Sequence, residues 1–188
     1  SPADGTIPAE ISAVDPKFKM PQVWKTSIAF DYNVPVSFPF TISAEGIFNK
    51  TVNGVVLRDW SVKSADGFAR LNGADNRPLY QDYQQTYVDA DGAVANLPSA
   101  YVLENTNRGY GYSGTLSMNM RPTEALSLMA AYTHTVSKEI TGMPGSNASS
   151  VLNYIGTVYG PNDPGLHNSQ YVTPNRFVAS ATVNDKSG

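Results

Sequence analysis

The sequence predicts an all-β chain of antiparallel, up-and-down strands that form part of a transmembrane β-barrel with long external loops. Apolar and polar residues alternate with a period of two over runs of about a dozen residues, and tight turns alternate with excursions of several dozen. The 15 glycines, 13 prolines and 11 tyrosines favour strands and turns over packed helices. Soluble strands usually have roughly 5–6 residues, whereas a tilted strand needs ~9–11 to cross a bilayer.

Residues 1–21 hold Pro2, Pro8, Pro16 and Pro21, each lacking a backbone donor, and are expected to be an aperiodic loop. The periodic signal starts with Trp24, Ile28, Phe30, Tyr32 and Val34 on even positions against Lys25, Ser27, Asp31 and Asn33 on odd ones. After a short turn, Phe40, Ile42, Ala44 and Phe48 face one way and Thr41, Ser43, Glu45 and Asn49 the other, the partner strand of a hairpin. Residues 61–108 show no sustained period and are expected to be a long loop. Tyr110, Tyr112, Leu116, Met118 and Met120 then alternate with small polar residues. The tight connection at 121–124 leads to Leu126, Leu128, Ala130, Tyr132 and Val136, alternating with Ser127, Ala131, Thr133 and Thr135. A second long excursion, 137–174, contains a short helix over 147–155 capped by Asn147. Phe177, Ala179, Ala181 and Val183 alternate with Arg176, Ser180 and Thr182 in a fifth strand. The five strands are thus expected near 23–34, 38–60, 109–121, 125–136 and 175–183, with all 188 residues a single segment of one barrel domain.

Composition narrows the function. A net charge of −3 on a chain with 15% charged residues offers no patch for nucleic acid. The absence of cysteine removes disulfides, thiolate catalysis and cysteine-ligated metals. No apolar run reaches the ~20 residues of a membrane-spanning helix, a limit that leaves barrel strands untouched. Aromatic residues lie towards the ends of the apolar faces, where Trp24 and Tyr32 bracket the first strand and Phe40 and Phe48 the second. Isolated charges such as Lys25, Asp31 and Glu45 suit a watery face and not a dry core.

No motif points to catalysis, a cofactor or a bound metal. His134 and His167 are the only histidines, and each is expected to be structural or incidental. Asp89-Ala90-Asp91-Gly92 opens like a calcium loop, but Ala93, Ala95 and Ala100 stand where further ligands belong, so a solvated turn is expected. Asp31 and Glu45 form at most an ordinary acidic pair on a wet face. No serine lies in a nucleophile elbow and no glycine-rich phosphate loop opens a helix. Tyr80, Tyr83, Tyr87 and Tyr101, with Tyr110 beside them, are the candidate ligand-contact aromatics of the long loop.

The runs Pro-Gln-Val-Trp-Lys-Thr-Ser at 21–27, Phe-Pro-Phe-Thr at 38–41 and Ala-Glu-Gly-Ile-Phe-Asn-Lys at 44–50 resemble the barrel of Bacteroidetes TonB-dependent receptors of the Oar-like and SusC-like group. Leu128 to Thr135, Ser137-Lys138-Glu139, Gly142 to Ser146 and Gln170 to Arg176 are similar to the same family. The resemblance implies a fragment of the later half of an outer-membrane barrel, without a plug domain, from a transporter of a bulky nutrient such as a glycan, peptide or chelate. It implies outer-membrane lipid as surroundings, energy from the TonB system through a segment absent from this chain, and a surface lipoprotein as a further partner. The competing expectation is a soluble all-β carbohydrate- or protein-binding or adhesion module. The two differ in whether the even-numbered residues face outward or into a dry interior.

Overall fold

The computed structural model describes residues 8–63, 68–79, 82–89, 91–155, 160 and 162–184. The structure is all-β, 55% strand, with one short helix among the described residues. In chain order the elements are β1 (Glu10–Val14), β2 (Gln22–Asn33), β3 (Phe40–Asp59), β4 (Thr86–Val88), β5 (Val94–Asn96), β6 (Ser99–Thr106), β7 (Tyr110–Met120), β8 (Leu126–Glu139), α1 (Ala148–Tyr154), β9 (His167–Asn168) and β10 (Asn175–Val183). The residues group into two compact units, one of Val23–Thr51, Gly109–Glu139 and Asn168–Gly188, the other of Ser1–Gln22, Val52–Arg108 and Ile140–His167.

The first unit is an antiparallel meander in the order β2, β3, β7, β8, β10. Phe40 pairs with Met120, Met120 with Leu128, and Leu128 with Ala181, so even positions stay aligned on one face through β3, β7 and β8 and meet the odd positions of β10. Both short turns lie at the same end of the sheet. In one, the Val34 N–H donates to the Phe40 carbonyl (2.8 Å); in the other, the Arg121 side chain donates to the Glu124 carbonyl (3.0 Å) and Thr123 Oγ1 accepts from the Leu126 N–H (3.1 Å). No hydrophobic residue of this unit is fully buried among the described residues. The sheet is one layer thick with both faces open, and β2 and β10 are each paired on one side only, so the described strands do not close a barrel.

The second unit holds the core. Leu57, Val151 and Ile155 are buried together, with Tyr101, Leu103, Ala148 and Leu152 packed around them, so α1 covers one face of the β3–β6 pair. Asn147 caps α1 as expected: its side chain accepts from the Ser150 N–H, and Ser150 Oγ returns a bond to the Asn147 backbone. Val56 and Val102 alternate with these residues along their strands and are buried as well.

Three expected loops contain strands; the last, 137–174, holds the two-residue β9, which pairs with β8. β6 lies within 61–108, where no strand is expected. Because Val102 and its neighbours Tyr101 and Leu103 are all covered, the Ala-Tyr-Val-Leu run at 100–103 shows no alternation of apolar and polar positions. β1 lies within the Pro-rich 1–21, in the gap between Pro8 and Pro16, and runs parallel to β6 with Glu10 opposite Ser99. This is the one parallel pair among the described strand registers, and the long stretch between residues 14 and 99 supplies the connection that a parallel neighbour needs. Within the same stretch, β4 and β5 form a small separate hairpin.

Candidate functional site

The residues that stand out are not in a cleft. They form the apolar face of the meander. Ascending from the short-turn end, its rows read Phe40·Met120·Leu128·Ala181, Ile42·Met118·Ala130·Ala179, Ala44·Leu116·Tyr132·Phe177, Gly46·Gly114·His134·Asn175 and Phe48·Tyr112·Val136. A final row, Lys50·Tyr110·Lys138, ends the apolar stretch at the long-loop end. Most large side chains here are open: Ile28 is 76% exposed, Phe177 70%, Phe30 65% and Leu116 57%, while Leu128 is half-buried. Trp24 meets Phe48 edge-on at 6.0 Å near the upper margin, and Phe38 stacks on Phe40 at 6.4 Å near the lower. Ile28 sits over Gly46, where an added Cβ would touch its methyl at 3.6 Å.

The opposite face is built from the alternate positions. Its rows include Ser43·Ser117·Ala131·Val178 and Glu45·Thr115·Thr133·Arg176. Thr115 and Thr133 share a hydroxyl–hydroxyl bond across the strands (3.0 Å), and the Thr41 hydroxyl donates to Asn33 Oδ1 (2.9 Å). Ile47, Met129 and Val178 interrupt this face without making it apolar. Asp31 and Glu45 both stand exposed on it.

The loop aromatics do not behave as one group. Tyr101 packs against the Leu57–Val151–Ile155 cluster and is half-buried, Tyr87 is half-buried on β4, and Tyr83 is exposed. Tyr80 lies outside the described residues. His134 joins Tyr132 on a shared acceptor, Asn175 Oδ1, at 2.9 and 2.7 Å. The His167 ring meets the Gly165 carbonyl at 2.9 Å. At the β4–β5 turn, Asp89 Oδ1 accepts from the N–H groups of Asp91 (3.0 Å) and Ala93 (2.8 Å), and Gly92 takes the left-handed φ of 83°. The carboxylate thus closes its own turn. No cluster of three or more His, Asp or Glu residues among those described could hold a metal.

Sequence reasoning passes over a polar grouping at the long-loop end. Thr133, Thr135 and Ser137 project to one side of β8, and Ser169, Tyr171, Thr173 and Arg176 complete a cavity of about 420 Å³ with them. The hydroxyls at every second position are a visible signal; the return of residues 169–174 over them is not.

Comparison with protein-family models, with curated proteins and with solved structures finds no match to this chain.

Proposed function

We propose that this chain is a sector of the wall of an outer-membrane β-barrel, part of a TonB-dependent receptor that imports a bulky nutrient, with lipid against the Ile28–Leu116–Phe177 face and water against the Thr133–Arg176 face. One observation carries this reading. Most of the large apolar side chains of a one-layer sheet are gathered on one open face, where each Leu, Ile or Phe left in water forgoes roughly 1.5–3 kcal/mol of burial. An apolar patch of this extent needs a partner phase.

The dimensions suit a membrane. From Leu126 to Val136 on β8, the apolar stretch runs roughly 34 Å at ~3.4 Å per residue, or roughly 26 Å across a bilayer at a strand tilt of ~40°, against the ~25 Å apolar band of such barrels. Short turns at one end and long connections at the other match the periplasmic and external ends of bacterial barrels. The receptor assignment, with TonB-supplied energy and a surface lipoprotein partner, rests on the resemblance in the strand sequences.

Single cysteines at Ile28, Leu116, Ser117 and Thr133, spin-labelled in protein reconstituted into lipid vesicles, test the reading. Labels at Ile28 and Leu116 should collide with membrane-dissolved oxygen, and those at Ser117 and Thr133 with a water-soluble nickel chelate. Shielding of Ile28 and Leu116 from both reagents would replace the barrel wall with a soluble all-β module.

A further inference from the structure

We propose that the cavity at the long-loop end of the polar face binds an acidic sugar chain, held by Arg176, Tyr171 and the hydroxyls of Thr135 and Ser137. The proposal rests on the barrel-wall reading for its setting, since there this face lines the channel near its outer mouth, and it narrows the cargo to hydroxylated rings bearing carboxylate or sulfate.

The cavity is built by the backbone. The Ser169 N–H donates to the Ser137 carbonyl (2.9 Å), the Val172 N–H to the Ser169 carbonyl (3.2 Å), and the Thr135 N–H to the Pro174 carbonyl (2.8 Å). Residues 169–174 are therefore pinned to β8 at both ends and bulge between. Thr133, Thr135 and Ser137 form the floor at intervals of ~6.8 Å along the strand. Arg176, opposite Thr133 in the register, supplies the wall on β10. The volume of about 420 Å³ falls within the roughly 300–1,000 Å³ of small-molecule sites.

The chemistry of the lining selects the ligand. Arg176 is the one charged residue among the lining side chains, with no acid beside it. Ion pairs among the described residues include Arg58–Glu104, Arg77–Asp75 and Arg108–Asp163, and the Arg176 guanidinium makes neither an ion pair nor a hydrogen bond with any described residue. A guanidinium offers a planar fork that carboxylate or sulfate oxygens satisfy in pairs. The hydroxyls of Thr135 and Ser137 are likewise unengaged among the described residues and can both donate and accept, as sugar hydroxyls require. Tyr171 is 76% exposed and offers a ring face with a polar tip, a surface on which the C–H face of a pyranose packs. A free phosphate or a peptide carboxylate could take the guanidinium and a hydroxyl, but would leave the ring face of Tyr171 and the rest of the hydroxyl ladder unused.

The test is calorimetric binding to the detergent-solubilised protein of trigalacturonate, its fully methyl-esterified form, and a sulfated galactose trisaccharide. Trigalacturonate or the sulfated sugar should bind, the neutral ester about 10-fold or more weakly, and added salt should weaken the acidic sugars. Arg176→Gln should bring the acidic sugar down to the level of the ester. Tyr171→Ala, in a loop outside the strand ladder, should weaken acidic and neutral sugars together by about 10-fold, and it serves where the β10 variant fails to fold. Equal binding of acidic and neutral sugars, binding unchanged in both variants, or no binding of any of the three would overturn the proposal. Lipid exposure of Ile28 and Leu116 alongside such a result would leave the barrel wall standing without this site. Selective binding with those residues shielded would keep the site on a soluble sheet.

Discussion

Asp59 ends β3 with only 6% of its surface exposed, and one oxygen of its carboxylate gathers three hydrogen bonds. Oδ1 accepts from the Ser61 N–H (2.9 Å), the Ser61 hydroxyl (2.7 Å) and the Ala100 N–H (3.0 Å). The residue's own N–H and carbonyl are bound by the Asn162 side chain at 2.7 and 2.6 Å. A single buried side chain therefore joins the end of β3 to the start of β6. Removing it strands buried donors, each at a cost of roughly 1–3 kcal/mol, so Asp59→Ala should lose about 3 kcal/mol of stability, whereas Asp59→Asn keeps an acceptor in place and should lose less. Denaturant unfolding followed by Trp60 fluorescence reports on this spot, because the Trp60 indole N–H donates to Glu104 on β6 (2.7 Å). Equal losses in the two variants would mean that packing, and not hydrogen bonding, sets the cost. The nearby core offers a second measurement: Leu57→Ala empties the contact between β3 and α1 and should cost about 2–5 kcal/mol in the same assay.

At the scale of the element, β7 gives the sharpest contrast between adjacent residues. Leu116 stands on the apolar face and Ser117 on the other, one residue apart at the same depth. If lipid covers the first and water the second, Leu116→Arg should cost about 2–4 kcal/mol of insertion stability and Ser117→Arg about 0–1 kcal/mol. Folding into vesicles from urea measures both, and equal costs would remove the distinction between the faces. Elements with unlike faces are the ones legible in the sequence: β2, β3, β7, β8 and β10 begin and end within three residues of the positions that alternation marks. α1 is legible through its cap, and Asn147→Ala should cost about 1 kcal/mol, seen as faster exchange of the Val151 amide that bonds the Asn147 carbonyl (3.0 Å). β6 and β1 are not legible. Coverage on both faces erases the period in β6, and β1 is a five-residue strand among prolines whose partner lies far along the chain. The cavity at Arg176 is half legible: its hydroxyl ladder shows as a period of two, but the loop that closes it is positioned by backbone bonds that carry no mark in the side chains.

For the whole molecule the question is what satisfies the surfaces it leaves open. A closed barrel has no strand edges, but this chain of 188 residues presents β2 and β10, each paired on one side, together with the apolar face between them. Detergent can cover the face. It cannot satisfy backbone N–H and carbonyl groups along the two edges, so those edges remain templates for pairing with another strand. The direction of each edge group follows from the ladder: Asn184 donates its N–H to Ala125 and Pro174 accepts from Thr135, so even-numbered residues of β10 bond towards β8 and the N–H of Ala179 points outward. Ala179→Pro therefore removes an outward donor without removing a ladder bond, which is where an edge strand tolerates proline. Sedimentation of the isolated chain in detergent should show edge-paired oligomers for the native sequence and a shift towards monomer for Ala179→Pro. In plain buffer both should aggregate, because the proline leaves Ile28, Leu116 and Phe177 uncovered. A native chain that runs as a single monomeric species without detergent would show that the sheet buries its apolar face by itself, and the requirement for lipid and further strands would fall.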